Sequence, residues 1–175
     1  MSDDLERFHQ AIDDEVRGLE AVHLGRLQCR KGCSSCCVDG LTVFEAEAEA
    51  IRRNHAELLE TGAPHATGAC AFLDETGACR IYRDRPYVCR SQGVPLRWLD
   101  ESEDGEIVEQ RDICELNDQP EGKSWPLITD LSPRDCWTIG PTEAKLQEMQ
   151  REFARSRGSS ETQGRVELRR LFRRA

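Results

Sequence analysis

The sequence predicts an α+β fold, mostly α, in which helices pack around one or two small β-hairpins. Three observations predict it. Apolar residues recur at steps of three and four near the amino terminus and again over 41–62. Short apolar or β-branched runs flank the turn-forming residues at 74–77 and a later acidic loop. Pro120, Pro126 and Pro133 rule out long helices between 118 and 140.

Each element follows in order. Over residues 3–27, Leu5, Phe8, Ile12, Val16, Leu19 and Val22 form the stripe of an amphipathic helix that runs directly into the first cysteines. In LTVFEAEAEAIRRNHAELLETG, Thr42 followed by Glu45 reads as a capping box and Gly62 as the stop, with Phe44, Ala48, Ile51, His55 and Leu58 on the inner face. CAFLDETGACRIY reads as a tight hairpin with Cys70 and Cys79 on its arms, after which Arg85 and Pro86 turn the chain. A second hairpin joins VPLRWL to IVEQRDI and ends at Cys114. An irregular wrap then carries Trp125, Cys136 and Trp137. Pro141 opens a helix bearing Leu146, Met149 and Phe153, and after Gly158 the segment GRVELRRLFRRA reads as a short basic helix or a frayed tail. The expected organisation is an amino-terminal helix (1–26), a cysteine-rich domain (27–118), a wrap plus helix packed on it (119–158) and a basic carboxy-terminal segment (159–175) that is free to flex.

With 175 residues there is room for one compact core. The net charge of −9 argues against nucleic acid as a partner, because phosphate binding needs a cationic footprint. The charge is uneven: residues 100–109 hold six acids, whereas residues 151–175 hold eight Arg against three Glu, so a protein partner for the basic segment is the interaction to consider. The first residues, MSDDLERFHQAIDDEV, show no basic region followed by an apolar run, and no later run reaches membrane-spanning length. A cytoplasmic location, with no membrane, is therefore expected. In that reducing setting nine cysteines point to metal or redox chemistry rather than to a disulfide framework.

Eight of the nine lie between 29 and 114: Cys29, Cys33, Cys36 and Cys37 in CRKGCSSCC, then Cys70, Cys79, Cys89 and Cys114. Steps of four and three or four bring successive sulfurs to one side of a helical turn, and Gly32 lets the backbone leave a regular helix to wrap an ion. Thiolates from the hairpin region would close the shell. Zinc and iron-sulfur clusters both take thiolate sulfur, and spacing does not choose between them. Arg26, Arg30 and Lys31 beside the first group, and Arg80, Arg83, Arg85 and Arg90 around Cys79 and Cys89, are expected to lower thiol pKa values. Cys136, with no cysteine near it in sequence, reads as a buried small residue, and His65 is the one histidine placed to test as a ligand.

The order CRKGCSSCC, LTVFEAEAEAI, CAFLDETGACRIYRDRPYVCR and ICELN resembles the YkgJ-like cysteine-cluster family, a zinc- or iron-chelating domain, over roughly residues 27–118. The resemblance implies joint chelation by Cys29, Cys33, Cys36, Cys37, Cys70, Cys79 and Cys89, with Cys114 in a weaker Cys-x-Leu-Asn element. It names a cofactor class rather than a reaction. Flagellin lysine N-methylases carry a related cysteine pattern, but too little of this chain lies outside the motif to carry that activity over.

Two function classes compete, with an interaction protein built on a structural zinc as a third. The first is a metal-binding protein, its metal used in electron transfer, cluster delivery, sensing or structure; an iron-sulfur cluster, of the 4Fe–4S type, is expected ahead of zinc because eight sulfurs exceed what one zinc takes. The second is a metalloenzyme acting on a protein side chain, for which Tyr82, Asp84, Arg85 and Tyr87 are the neighbouring candidate groups. Cys29-x3-Cys33-x2-Cys36 also matches radical-SAM spacing, but the chain is too short for that barrel and lacks its strand–helix alternation.

Overall fold

The computed structural model describes residues 2–122, 124–160 and 164–173. In chain order, helix α1 (Ser2–Val22) leads through the cysteine loop to strand β1 (Thr42–Phe44), which runs into α2 (Glu45–Asn54) and α3 (Ala56–Thr61). The one-turn α4 (Tyr87–Arg90) precedes strands β2 (Leu96–Glu101) and β3 (Ile107–Asp112), then the short α5 (Glu115–Asp118). Strand β4 (Trp137–Thr138), the long α6 (Ile139–Ser156) and strand β5 (Arg165–Glu167) complete the chain. Of the described residues, 45% are helical and 13% are strand, so the fold is α+β and mostly α. No helix among the described residues is long and apolar enough to cross a membrane.

Two apolar cores meet at the start of α2. One holds Leu5, Ile12, Val16 and Leu19 of α1 against Tyr87, Val94, Trp137, Leu146 and Met149. The other packs Val43, Ala48, Ile51 and Leu59 against Phe72, Ile81, Leu168, Leu171 and Phe172. Successive residues of a strand face opposite sides, so Val43 enters one core and Phe44 the other. The α1 stripe ends at Leu19. Val22 turns to solvent and His23 is buried in its place, its Nε2 2.7 Å from the Asp135 carbonyl oxygen.

The segment 41–62 departs from one continuous helix. Thr42 pairs with Glu167 and Phe44 with Arg165 in an antiparallel ladder, and the Arg165 guanidinium donates to the hydroxyl and carbonyl oxygens of Thr42. Strand pairing therefore takes the residue that the capping box needed. The helix begins at Glu45 with no side-chain cap on Phe44, and Gln150 of α6 accepts from the Ala46 N–H at 2.9 Å instead. At His55 the backbone breaks, separating α2 from α3, while the imidazole reaches Asp84 at 2.9 Å.

The later hairpin matches its expected span, with β2 and β3 in register from Leu96↔Asp112 to Glu101↔Ile107. The proline-rich wrap returns as β4, which adds to β2 in parallel. The earlier hairpin is reduced to a bridge between Leu73 and Cys79, closed by Asp74, whose carboxylate accepts the N–H groups of Thr76 and Ala78. Described residues 164–173 of the basic segment are strand and 3₁₀ turn rather than the anticipated short helix or frayed tail, whereas 161–163 and 174–175 lie outside the described residues. Arg169 binds Asp39 and the carbonyls of His65 and Ala69, and Arg173 binds Glu60. These arginines are thus tied to the protein's own surface.

Leu168→Ala should cost about 2–5 kcal/mol, because its side chain is buried where the carboxy-terminal turn meets α2. Urea denaturation followed by circular dichroism measures it.

Candidate metal centre

The first four cysteines sit on two successive tight turns rather than on a helical turn. Cys33 N–H donates to the Arg30 carbonyl and Cys37 N–H to that of Ser34, both at 2.9 Å. Gly32 makes the left-handed step between them, at φ +88°. Its partner across the gap is Gly77: a Cβ on Gly77 would lie 3.2 Å from the Gly32 carbonyl oxygen, so the cysteine loop rests directly on the tip of the bridged turn. Cys70 N–H then donates to the Cys37 carbonyl at 2.8 Å, tying loop to hairpin arm. Cys79 stands on the opposite arm, Cys89 lies in α4, and Cys114 caps α5 with its sulfur 4.0 Å from Ser35 Oγ.

All nine cysteines are free thiols. Mutual repulsion of their charged forms shows which are neighbours. Cys29 is opposed by Cys33, Cys36 and Cys114. Cys37 is opposed by Cys36, Cys70 and Cys89, and Cys89 by Cys70, Cys79 and Cys36. The charged forms of the candidate thiols thus oppose one another in two overlapping groups, one around Cys29 and one around Cys89, with Cys36 acting on both. Cys136 lies apart, among Arg111, Asp135, Glu109 and Arg97, with Arg111 Nη1 3.9 Å from its sulfur.

The expected cationic depression of the thiol pKa values is overturned at five positions, Cys29, Cys37, Cys70, Cys79 and Cys89. Burial pushes the Cys29, Cys70 and Cys79 thiols up, and pushes Cys89 up to about 12; nearby arginines pull Cys70 and Cys79 down by less. Several of those arginines are engaged elsewhere. Arg80 donates to the carbonyls of Ala63 and Ala71, and Arg85 and Arg90 both bind Asp13. Cys36 is the exception: it is lowered because the Cys37 S–H donates to its thiolate, which raises Cys37 in turn.

Among the described residues, no group of three or more His, Cys, Asp or Glu side chains stands, as placed, so that it could hold a metal ion. The chemistry of the donors nonetheless fits a sulfur-seeking metal, since the side chains gathered here are thiols from four separate stretches of chain. The backbone also makes room for sulfur. A Cβ on Gly93 would lie 2.6 Å from Cys29 Sγ, so this position accepts only glycine. A groove of about 720 Å³ opens beside the group around Cys29, lined by Arg30, Lys31, Cys33, Ser35, Glu115 and Gln119 among others.

The remaining candidates are occupied. Tyr82 is exposed beneath the Arg85 guanidinium, 4.3 Å from ring centroid to Cζ, and Asp84 accepts from Asn54 and His55. Tyr87 is buried, its hydroxyl donating to the Ile139 carbonyl and accepting from the Trp137 indole. His65 is held through its backbone, its N–H to Ala71 and its carbonyl to Arg169. Sequence reasoning missed Gly93 and Asn117, which contact the Cys29 sulfur. The Cys-x-Leu-Asn run was the available signal for Asn117; for Gly93 there was none, because its role arises from a contact 64 residues away (93 − 29).

Clustered thiols on tight turns, supported by small surrounding elements, define a cysteine-cluster chelating domain. The particular family is CxxCxxCC, described as "Putative zinc- or iron-chelating domain": its model matches residues 28–115, half of the chain, and the protein belongs to it, consistent with the YkgJ-like resemblance. The match takes in all eight candidate cysteines and leaves out α1, Cys136 and α6. No curated protein and no solved structure matches the chain.

The raised thiol at Cys89 makes stability pH-dependent before metal is added. Unfolded chains ionise this thiol near its ordinary value of 9, whereas the folded protein holds its proton to about 12. Its contribution is therefore full below pH 9 and is lost as pH rises toward 12. Denaturation midpoints of the metal-free protein should fall across that window, and Cys89→Ala should flatten the fall. Unchanged slopes in the variant would refute the assignment.

Proposed function

We propose that this protein binds metal through Cys29, Cys33, Cys36, Cys37, Cys70, Cys79, Cys89 and Cys114, and that the metal is an iron-sulfur cluster of the 4Fe–4S type ahead of zinc. One observation supports the reading: eight of the nine thiols, from four stretches of chain, lie near enough for their charged forms to repel one another, whereas Cys136 faces Arg111, Asp135, Glu109 and Arg97. The two overlapping groups offer more sulfur than one zinc uses, which favours a cluster. Metal binding would draw the sulfurs together, and thiol protons leave as metal enters. A reducing cytoplasm suits this chemistry, because it keeps the thiols available.

A binding role, in electron transfer, cluster delivery, sensing or structure, fits better than catalysis. Asp84, Arg85 and Tyr87 are each held by a partner in the fold, and the Arg85 guanidinium covers the ring of the exposed Tyr82. When bound, the metal would supply redox capacity if iron, or a structural cross-link if zinc.

Anaerobic purification with metal analysis and a visible spectrum tests the proposal. Brown protein with iron and acid-labile sulfide is expected; colourless protein with stoichiometric zinc would reverse the order of metals, and protein without either would end the reading. Cys33→Ala should lose metal and melt earlier, because metal binding is part of the folding free energy, whereas Cys136→Ala should keep full metal content.

A further inference from the structure

Asn117, in α5, is fully buried and lies just past the span that matches the family. Every hydrogen-bonding position on its side-chain nitrogen is taken up. Its Oδ1 accepts the Gln28 N–H at 2.7 Å; its Nδ2 donates to the Gly93 carbonyl at 2.8 Å and to Cys29 Sγ at 3.4 Å. The two backbone partners fix the amide, since reversing it would set the NH₂ group against an N–H and the oxygen against a carbonyl. The second Nδ2 hydrogen is thereby aimed at sulfur. The main chain of Asn117 is anchored as firmly: its N–H donates to the Cys114 carbonyl at 2.7 Å, and its carbonyl accepts from Nε of the fully buried Arg26 at 2.8 Å.

Beside the same sulfur, Gly93 adopts φ +97° and leaves the space that a Cβ would fill. One short helix thus carries both a candidate ligand, at its Cys114 cap, and the side chain that holds a second candidate ligand 85 positions earlier (114 − 29). We infer that Asn117 is a positioning residue for the metal ligand Cys29, holding its sulfur by an N–H···S hydrogen bond and tuning the electron density that the sulfur gives to the metal. The inference rests on the metal-binding reading above. Its physical basis is general: partners of a ligand fix its orientation, and a donor to a coordinated sulfur stabilises negative charge on it, so an iron-sulfur centre becomes easier to reduce.

Wild-type protein loaded with cadmium-113 tests this without any substitution. NMR should show scalar coupling from cadmium to the Cys29 β-protons and, through the sulfur, to a side-chain amide proton of Asn117. Coupling to Cys29 without coupling to Asn117 would overturn the inference alone. Absence of coupling to Cys29 while other cysteines couple would remove Cys29 from the ligand set and the inference with it, leaving metal binding itself intact. Asn117→Asp gives a second readout, because it keeps the acceptor for Gln28 and loses the donor to sulfur. Cobalt(II) affinity should fall about 10- to 100-fold, with a shift of the thiolate-to-cobalt band. A variant that melts early yet binds cobalt like wild type, with its band unmoved, would mark Asn117 as structural only. If the variant does not fold, the cadmium couplings decide.

Discussion

The structure depends on gathering thiols that do not attract one another. Burial pushes Cys29, Cys70, Cys79 and Cys89 toward their neutral forms, and each charged form would repel its neighbours. Something other than sulfur chemistry must therefore bring these segments together. Backbone hydrogen bonds do part of it, through the Cys70 N–H on the Cys37 carbonyl and the two turns that present Cys33 and Cys37. Close backbone contact does more, where Gly32 and Gly77 let the loop meet the tip of the bridged turn. The apolar cores supply the rest, with Cys70 buried beside Phe72 and Leu73.

Regions outside the matched span act as the frame. Just past α1, the buried Arg26 binds the carbonyls of Asn117 and Asp118 through its guanidinium and so joins the two ends of the cysteine-rich region. The carboxy-terminal segment closes the opposite side. Its strand pairs with β1, and Leu168, Leu171 and Phe172 complete the core that carries Cys70 and Cys79. A sequence rich in Arg here looked suited to a partner, yet Arg165, Arg169 and Arg173 bind Thr42, Asp39 and Glu60 of the same chain. Strong local charge is thus resolved by long-range pairing.

What could be read in the sequence was what neighbouring residues decide. The α1 stripe, the β2–β3 hairpin and the clustering of eight cysteines with Cys136 set apart all rest on local pattern. What escaped rests on distant contacts. Thr42 and Glu45 had the spacing of a capping box, but a ladder to residues 165–167 outcompeted it. Trp137 and Thr138 sit in a proline-rich stretch without strand pattern and become a strand because β2 offers an open edge. The arginines near Cys79 and Cys89 promised lowered pKa values, and the promise failed because Asp13 and main-chain carbonyls hold them.

The doubled cysteine explains how one loop can serve both groups. Adjacent residues project their side chains in different directions, so a turn that points Cys36 outward turns Cys37 inward. Cys36 is exposed, whereas Cys37 packs against the core that holds Cys70. Cys36 accordingly shares its surroundings with Cys29, and Cys37 with Cys70 and Cys89. The S–H of Cys37 on Cys36 makes the pair more than a spacer, because it holds the thiol pKa of the exposed Cys36 down and that of Cys37 up. The doubled cysteine thus joins an exposed thiol of depressed pKa to a neighbour that packs on the core, and one short turn presents two thiols of opposite character.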